Sequence, residues 1–209
     1  MDNRHTRVYL LRHGETVNTV DGRFRYNGHA DVDVTEEGMR QLQQQGEVLR
    51  SRPVKRVYSS GLTRTVKGAA TLAAVLSAEV AHDGRLKEIN AGRWETLTAD
   101  EVQRQFPGEF EKRFSDIVNF RIPGGGENLL DVRDRALAAV SEIVKKNVGE
   151  EVVIVAHGGV NRVILCEAMG LGLENLLRIE QGFGCLNIID YYDGTSVVRL
   201  LNKSPGDIG

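Results

Sequence analysis

Two histidines stand directly behind short runs of β-branched and aliphatic residues. Arg7–Leu11 runs into Arg12-His13-Gly14-Glu15, and Val152–Ala156 runs into His157-Gly158-Gly159. Arg64 opens an alanine-rich stretch just after Ser59-Ser60, and Glu88 lies shortly after the run Glu79–His82. Imidazole changes charge near neutral pH and can attack or transfer a proton. Planar guanidinium forks match phosphate or carboxylate oxygens two at a time, and a carboxyl group moves protons. Taken singly, each residue has an ordinary reading: a surface turn, a satisfied loop histidine, a solvated helix charge, a surface carboxylate. Their joint placement behind strand-like runs is the functional signal. Gly14 adds a tight turn and room for close ligand approach.

The elements that position them follow from the patterning. Arg7–Leu11, Val57–Ser59, Glu79–His82 and Val152–Ala156 read as buried strands, and Leu186–Tyr192 with Ser196–Leu201 as a hairpin around Asp193-Gly194. Thr35 reads as an N-cap followed by Glu36 and Glu37, which the helix dipole favours. That helix runs to Arg50 with Met39, Leu42, Val48 and Leu49 on its apolar side. Further helices are predicted over Arg64–Leu76, Leu129–Asn147 and Val160–Met169. In Leu129–Asn147, residues Val132, Ala136, Leu137, Val140, Ile143 and Val144 recur at helical spacing. A helical insertion at about residues 98–122 is broken by Pro107-Gly108 and reads as a lid. Strands alternating with helices predict an α/β three-layer sandwich: a mainly parallel central sheet, helices on both faces and an antiparallel edge strand. In such sheets ligands bind beyond the carboxyl ends of the strands, which is where the two histidines fall.

Composition narrows the function classes. The 209 residues fit one domain, with 41% hydrophobic and 27% charged residues and a net charge of -2 with His neutral. No basic footprint speaks for nucleic acid as a partner. No run approaches the roughly 20 apolar residues of a membrane span, and the N-terminal MDNRHTR is too polar for a signal peptide. Cys166 and Cys185, in apolar contexts, read as buried thiols. Together these place the chain in the cytoplasm and leave the oligomeric state open, a homodimer being one option. No metal-ligand spacing is present.

Leu10-Leu11-Arg12-His13-Gly14-Glu15-Thr16-Val17-Asn18 resembles the signature of the histidine phosphatase superfamily, in the branch that contains cofactor-dependent phosphoglycerate mutase. The resemblance spans nearly the whole chain. Ser59-Ser60 with Leu62-Thr63-Arg64-Thr65 is similar to the family's second arginine segment, and Leu86-Lys87-Glu88-Ile89 with Gly92 and Trp94-Glu95 to its acid segment. Pro123–Glu127 is similar to its substrate loop and Val152–Val160 to its second histidine segment. The resemblance implies a phosphoglycerate mutase-like fold and a metal-independent phosphomonoesterase with no cofactor, acting on a small-molecule phosphate ester. It makes His13 the nucleophile of a phosphohistidine intermediate, with Arg12 and Arg64 on the phosphoryl oxygens and His157 donating to them. Glu88 becomes the acid for the leaving alkoxide and then the base for water. Substrate contacts are expected from Asn18, Asn27 and Gly158.

Thr19 holds the position where the family usually has asparagine, and Asn18 stands beside it. Asn27 falls where a glutamine is frequent, and Asp33 where proline is. Glu127 reads as an ion-pair partner or a second acid. Asn27-Gly28-His29 and Asp31-Val32-Asp33 are closer to α-ribazole phosphate phosphatase-type members, with sugar phosphates the other substrate option. Three further readings are weaker. Gly124–Gly126 lacks the Gly-Lys-Ser/Thr of a P-loop, and no Gly-x-Ser-x-Gly elbow supports an α/β-hydrolase. A catalytically inactive phospho-ligand-binding domain does not need both histidines, both arginines and Glu88. Cofactor-dependent phosphoglycerate mutase is the serious alternative, but family mutases carry extra segments over the pocket, so the modest insertion here favours hydrolysis.

Overall fold

The structure, a computed structural model, describes residues 5–207; residues 1–4 of the polar N-terminal stretch lie outside it. Six strands form one sheet: β1 (Thr6–Arg12), β2 (Val54–Ser59), β3 (Glu79–His82), β4 (Glu151–Ala156), β5 (Leu186–Tyr192) and β6 (Thr195–Lys203), in the order β3-β2-β4-β1-β5-β6. β3, β2, β4 and β1 are mutually parallel, whereas β5 runs antiparallel to β1, and β6 antiparallel to β5. The expected antiparallel edge is therefore a two-strand hairpin, with β5 inside the sheet.

Alternation along the central strands builds two cores. Val8, Leu10, Val152, Ile154 and Ala156 face one side, under α5 (Leu129–Lys146) and α6 (Gly158–Ala168). Tyr9, Leu11, Val153 and Val155 face the other, with Leu42 and Leu49 of α1 (Glu36–Leu49) and Ala69 and Leu72 of α2 (Thr63–Leu76). Burying one such aliphatic side chain contributes about 1.5–3 kcal/mol, so this double-sided burial fixes the strand register.

Two details differ from expectation. The buried stripe of α1 is Leu42, Gln45, Gly46 and Leu49, while Val48 is exposed and Met39 half-buried. Gln45 is buried because its amide donates to the Gly184 and Lys203 carbonyls; helix geometry, not apolarity alone, sets the stripe. The predicted insertion forms α3 (Ala99–Gln105) and α4 (Pro107–Ser115), with Pro107 opening α4. It has its own small core of Ala91, Trp94, Val102 and Ile122.

Candidate active site

The register of β1 on β4 pairs Arg12 with Ala156, so His13 and His157 leave neighbouring strands side by side. Their rings meet edge to face at 5.2 Å. His13 is almost fully buried, and its Nδ1 lies 2.8 Å from the Gly14 carbonyl. A carbonyl only accepts, so Nδ1 holds the proton and Nε2 keeps a lone pair. Burial, then the Arg12 and Arg64 charges, hold the His13 pKa well below the usual 6.5. The imidazole is thus neutral, with an unprotonated Nε2.

A chain of hydroxyls fixes His157. Thr65 Oγ1 donates to the Leu62 carbonyl at 2.9 Å, so Ser60 Oγ donates to Thr65 at 2.8 Å. Ser60 Oγ is then left to accept from His157 Nε2 at 2.8 Å, and from Leu62 N at 3.3 Å. On the other side, Arg64 Nε donates to His157 Nδ1 at 3.2 Å. The resting His157 is therefore neutral, with its only N–H committed to Ser60; the expected donation to phosphate requires it to gain a proton at Nδ1. Burial, then Arg64 and His13, keep its pKa well below 6.5 in the empty site.

Arg64 is wholly buried, and its fork also donates to the Gly28 and Ala30 carbonyls at 2.6 and 2.7 Å. Three of its five N–H groups are spent, leaving two for a ligand. Arg12 donates to the Gln181 carbonyl at 2.6 Å and lies 3.9 Å over the Phe183 ring, while its Nε is buried without a partner. Burial lowers the Arg12 pKa to about 10, which leaves it charged at neutral pH. A ring stacked beneath the guanidinium fixes the plane of its fork.

Glu88 sits at the N-terminus of α6. Its Oε2 accepts from Gly159 N at 2.9 Å, and Oε1 from Ile89 N at 2.9 Å and Val160 N at 3.2 Å. Oε2, with one N–H, retains the freer lone pair for proton transfer. Arg12, His13, Arg64, Glu88, Asn27 and Gly158 all line one cavity of about 650 Å³. Apolar side chains also line it: Phe24, Tyr26, Phe114, Ile117, Leu176, and Phe183 beside Arg12 and His13. The insertion contributes Phe114, Ile117 and Arg113 to its wall.

His157 is not on the cavity wall; it lies buried behind it. Asn18 and Asn27 hydrogen-bond each other at 2.6 and 3.0 Å, and Thr19 rather than Asn18 reaches the cavity. Gly14 serves packing: a Cβ there would overlap the Gly38 carbonyl of α1, so its smallness admits a helix, not a ligand. Glu127 meets Arg135 twice, at 2.7 and 2.8 Å, and takes the Asn90 N–H at 2.8 Å. No residue of Pro123–Glu127 lines the cavity; the loop packs on Gly92 and Arg93. Sequence reasoning missed Phe183, Gln181 and Arg162. Arg162 alone carried a signal, one helical turn beyond Gly158 on the same face.

A neutral imidazole lies beside two arginines at the strand ends of a doubly covered sheet, the arrangement that the sequence resemblance implies. The chain belongs to the histidine phosphatase superfamily (branch 1), whose family profile matches residues 8–204. It is 37% identical over 162 residues to "Metal-independent phosphoserine phosphatase" of Arabidopsis thaliana, covering 76% of this chain and 67% of that one. It is 34% identical over 194 residues to "Phosphoglycerate mutase-like protein 4" of the same plant, covering 91% and 81%. The solved structure of "Bacillus stearothermophilus YhfR" aligns over 98% of both chains with a TM-score of 0.84 and 30% identity. The chain spans 54% of the length of the Mycobacterium tuberculosis relative "Bifunctional protein Rv2228c", which is 33% identical over 201 residues.

Proposed function

We propose that the protein is a metal-independent phosphomonoesterase that hydrolyses small-molecule phosphate esters in two steps on His13. The observation that carries this reading is the lone pair of His13 Nε2, held by the Gly14 carbonyl and flanked by Arg12 and Arg64. In the first step Nε2 attacks phosphorus and the P–O bond to the alcohol breaks. The departing alkoxide takes the proton of the Glu88 carboxylic acid. In the second step the Glu88 carboxylate removes a proton from water, which attacks phospho-His13 and releases phosphate, restoring both groups. Arg12 and Arg64 bear the oxygen charge throughout, and fixed donors of this kind contribute about 3–4 kcal/mol each to lowering a barrier.

His157 supports the same step once its Nδ1 has taken up a proton from solvent, which the charge of the bound dianion favours. Gly158, at the first turn of α6, and Asn27 are read as substrate contacts; Asn18 acts through Asn27. α-Ribazole 5'-phosphate, sugar phosphates and the phosphoserine of the Arabidopsis relative's name form the substrate panel. The free, buried Cys166 and Cys185 support a cytoplasmic setting. The mutase reading draws on the Arabidopsis mutase-like relative; isomerised ester without free phosphate would establish it.

The test is rapid quench of the protein with p-nitrophenyl phosphate, followed by mass mapping. Phosphate on His13, absent in His13→Ala, with turnover unaffected by chelator, is the expected result. Phosphate on another residue, or a rate that depends on a divalent ion, would overturn it.

A further inference from the structure

Glu95 does not line the cavity, yet its carboxylate takes three backbone N–H groups. Oε1 accepts from His29 N at 2.8 Å and Ala91 N at 2.9 Å, and Oε2 from Ala30 N at 2.9 Å. His29 N–H and the Gly28 carbonyl belong to one peptide group, whose two ends point in opposite directions in the trans form. That carbonyl takes Arg64 Nη2 at 2.6 Å. Ala30, whose carbonyl takes Arg64 Nη1 at 2.7 Å, is gripped by Glu95 through its own N–H. Glu95 and Arg64 therefore hold the same loop from opposite sides, with one peptide plane between them.

The surrounding backbone is built for this approach. Gly28 has a φ of +26°, and a Cβ there would overlap Glu95 Oε1. Thr96, the residue after Glu95, takes a left-handed backbone at φ 67°, an uncommon setting for a β-branched residue. Its N–H meets the Tyr26 carbonyl, and Tyr26 N the Leu97 carbonyl, both at 2.9 Å. Such a conformation persists where its surroundings over-determine it, and here it accompanies the turn that carries Glu95 to the loop. At the loop's other end Asp31 takes Thr63 N at 2.7 Å and Thr63 Oγ1 at 2.9 Å. That ties it to the first turn of α2, the helix that carries Arg64. Burial lowers the Arg64 pKa, while the charges of Glu88, Asp31 and Glu95 oppose it in that order. Two of the three opposing carboxylates thus belong to this clamp.

We propose that Glu95 is a positioning residue for Arg64, holding residues 28–30 so that the free N–H groups of a wholly buried guanidinium stay fixed for the phosphoryl oxygens. The proposal rests on the phosphatase reading, in which Arg64 binds the phosphoryl group, and adds a residue to it. Chained hydrogen bonds polarise one another, so the carboxylate answers the charge of Arg64 across one peptide group. A shorter apolar residue at position 95 leaves three N–H groups without their acceptor and frees the two carbonyls to turn away from the fork. The effect of Glu95 passes through Arg64 rather than through contact with substrate. Ala91 offers the competing route, since it stands three residues after Glu88 and shares Oε1 with His29.

The experiment is a double-mutant cycle on the full chain, read with p-nitrophenyl phosphate and glycerol 3-phosphate and accompanied by urea unfolding. Glu95→Ala is expected to lower kcat/KM for both esters by about 10²-fold, the effect of displacing a binding group by about 1 Å. Glu95→Gln, which keeps one acceptor oxygen, loses about tenfold or less. In an Arg64→Lys background, where the planar fork is gone, Glu95→Ala costs no more than about twofold, the scatter of uncoupled sites. The ratio of rates on the two esters is unchanged in Glu95→Ala, because Arg64 serves the phosphoryl group common to both. An equal loss with and without Arg64→Lys would make Glu95 a prop of the fold and overturn the proposal. So would wild-type kcat/KM in Glu95→Ala, or a loss confined to glycerol 3-phosphate, which would route Glu95 through Ala91 to Glu88. Where Glu95→Ala gives no cooperative urea transition, Glu95→Gln and Asp31→Ala carry the same cycle. Their losses must then appear beside Arg64 and vanish beside Arg64→Lys, and any other pattern overturns the proposal. A wild type that releases no phosphate from either ester removes the phosphatase reading and the proposal with it.

Discussion

In the proposed mechanism Glu88 differs from the other reacting groups because its job depends on the leaving group. An alkoxide must be protonated as it departs, whereas a nitrophenolate leaves without much help. The carboxyl group is held by Gly159 N, Val160 N and Ile89 N, so its position survives small changes in the pocket. Glu88→Gln is expected to slow hydrolysis of alkyl phosphates by about 10²–10⁴-fold and to slow the burst phase with p-nitrophenyl phosphate far less. Burst kinetics separate phosphorylation of His13 from its hydrolysis. Equal loss in the burst for both leaving groups would show that Glu88 only positions substrate; Glu15, the other carboxylate on the cavity wall, would then be the candidate acid. At this scale the sequence was informative wherever chain direction decides side-chain direction. Arg12 and His13 follow a parallel strand, as does His157, and strand ends point into the crevice. Phe183 and Gln181 come from an irregular segment folded under Arg12, and nothing periodic marks them. Ser60 was visible at a strand end, but its link to His157 depends on the β2–β4 register, which a single sequence does not display.

The elements hold the site through close backbone approaches. The turn after β1 passes over the start of α1: a Cβ on Gly14 would overlap the Gly38 backbone, and a Cβ on Gly38 would overlap the backbone of Glu15. Glu15 N then donates to Gln41 at 3.0 Å and Thr35 N to the Glu15 carbonyl at 3.0 Å, which locks the turn to the helix. His13 has its backbone in the same turn, its N–H on the Ala156 carbonyl and its C=O on Gly184 N. Gly14→Ala therefore forces turn and helix apart. The expected cost is about 1–3 kcal/mol, the range for overpacking, and activity falls further than stability because His13 moves with the turn. Urea unfolding alongside turnover of p-nitrophenyl phosphate checks this; a variant with wild-type stability and rate would show that the contact relaxes freely. The sequence suggested a glycine turn here but assigned it to ligand approach, since the partner lies 24 residues away in α1. The α1 stripe was misread for a related reason: Val48 is apolar yet lies off the line through Leu42, Gln45 and Leu49.

On the scale of the whole molecule, two neutral histidines buried between arginines make folding sensitive to proton concentration. In the unfolded chain each imidazole titrates near 6.5; in the folded protein burial and the neighbouring arginines hold both well below that value. Between those two values the unfolded chain binds protons that the native state refuses, so stability rises with pH. The histidine contribution is complete above about pH 6.5 and is lost as pH falls towards the folded-state values, by up to about 1.4 kcal/mol per pH unit for each histidine. Carboxylates act later. Burial of Asp190 opposes ionisation, but Arg7 and Arg199 outweigh it and lower its pKa; its contribution disappears only as pH falls through the acid range. The same holds for Glu127, where Arg135 outweighs burial. Urea midpoints measured between pH 7.5 and 5.5 should thus decline before Asp190 and Glu127 titrate. His157→Gln removes one of the two titrating groups and should flatten that decline by about half, whatever it does to absolute stability. Saturating phosphate should also alter the slope, because the bound dianion favours a proton on His157, which the resting site excludes through Ser60 and Arg64. A midpoint that stays constant from pH 7.5 to 5.5 would mean that the histidines titrate alike in both states and that the site is wetter than its packing indicates.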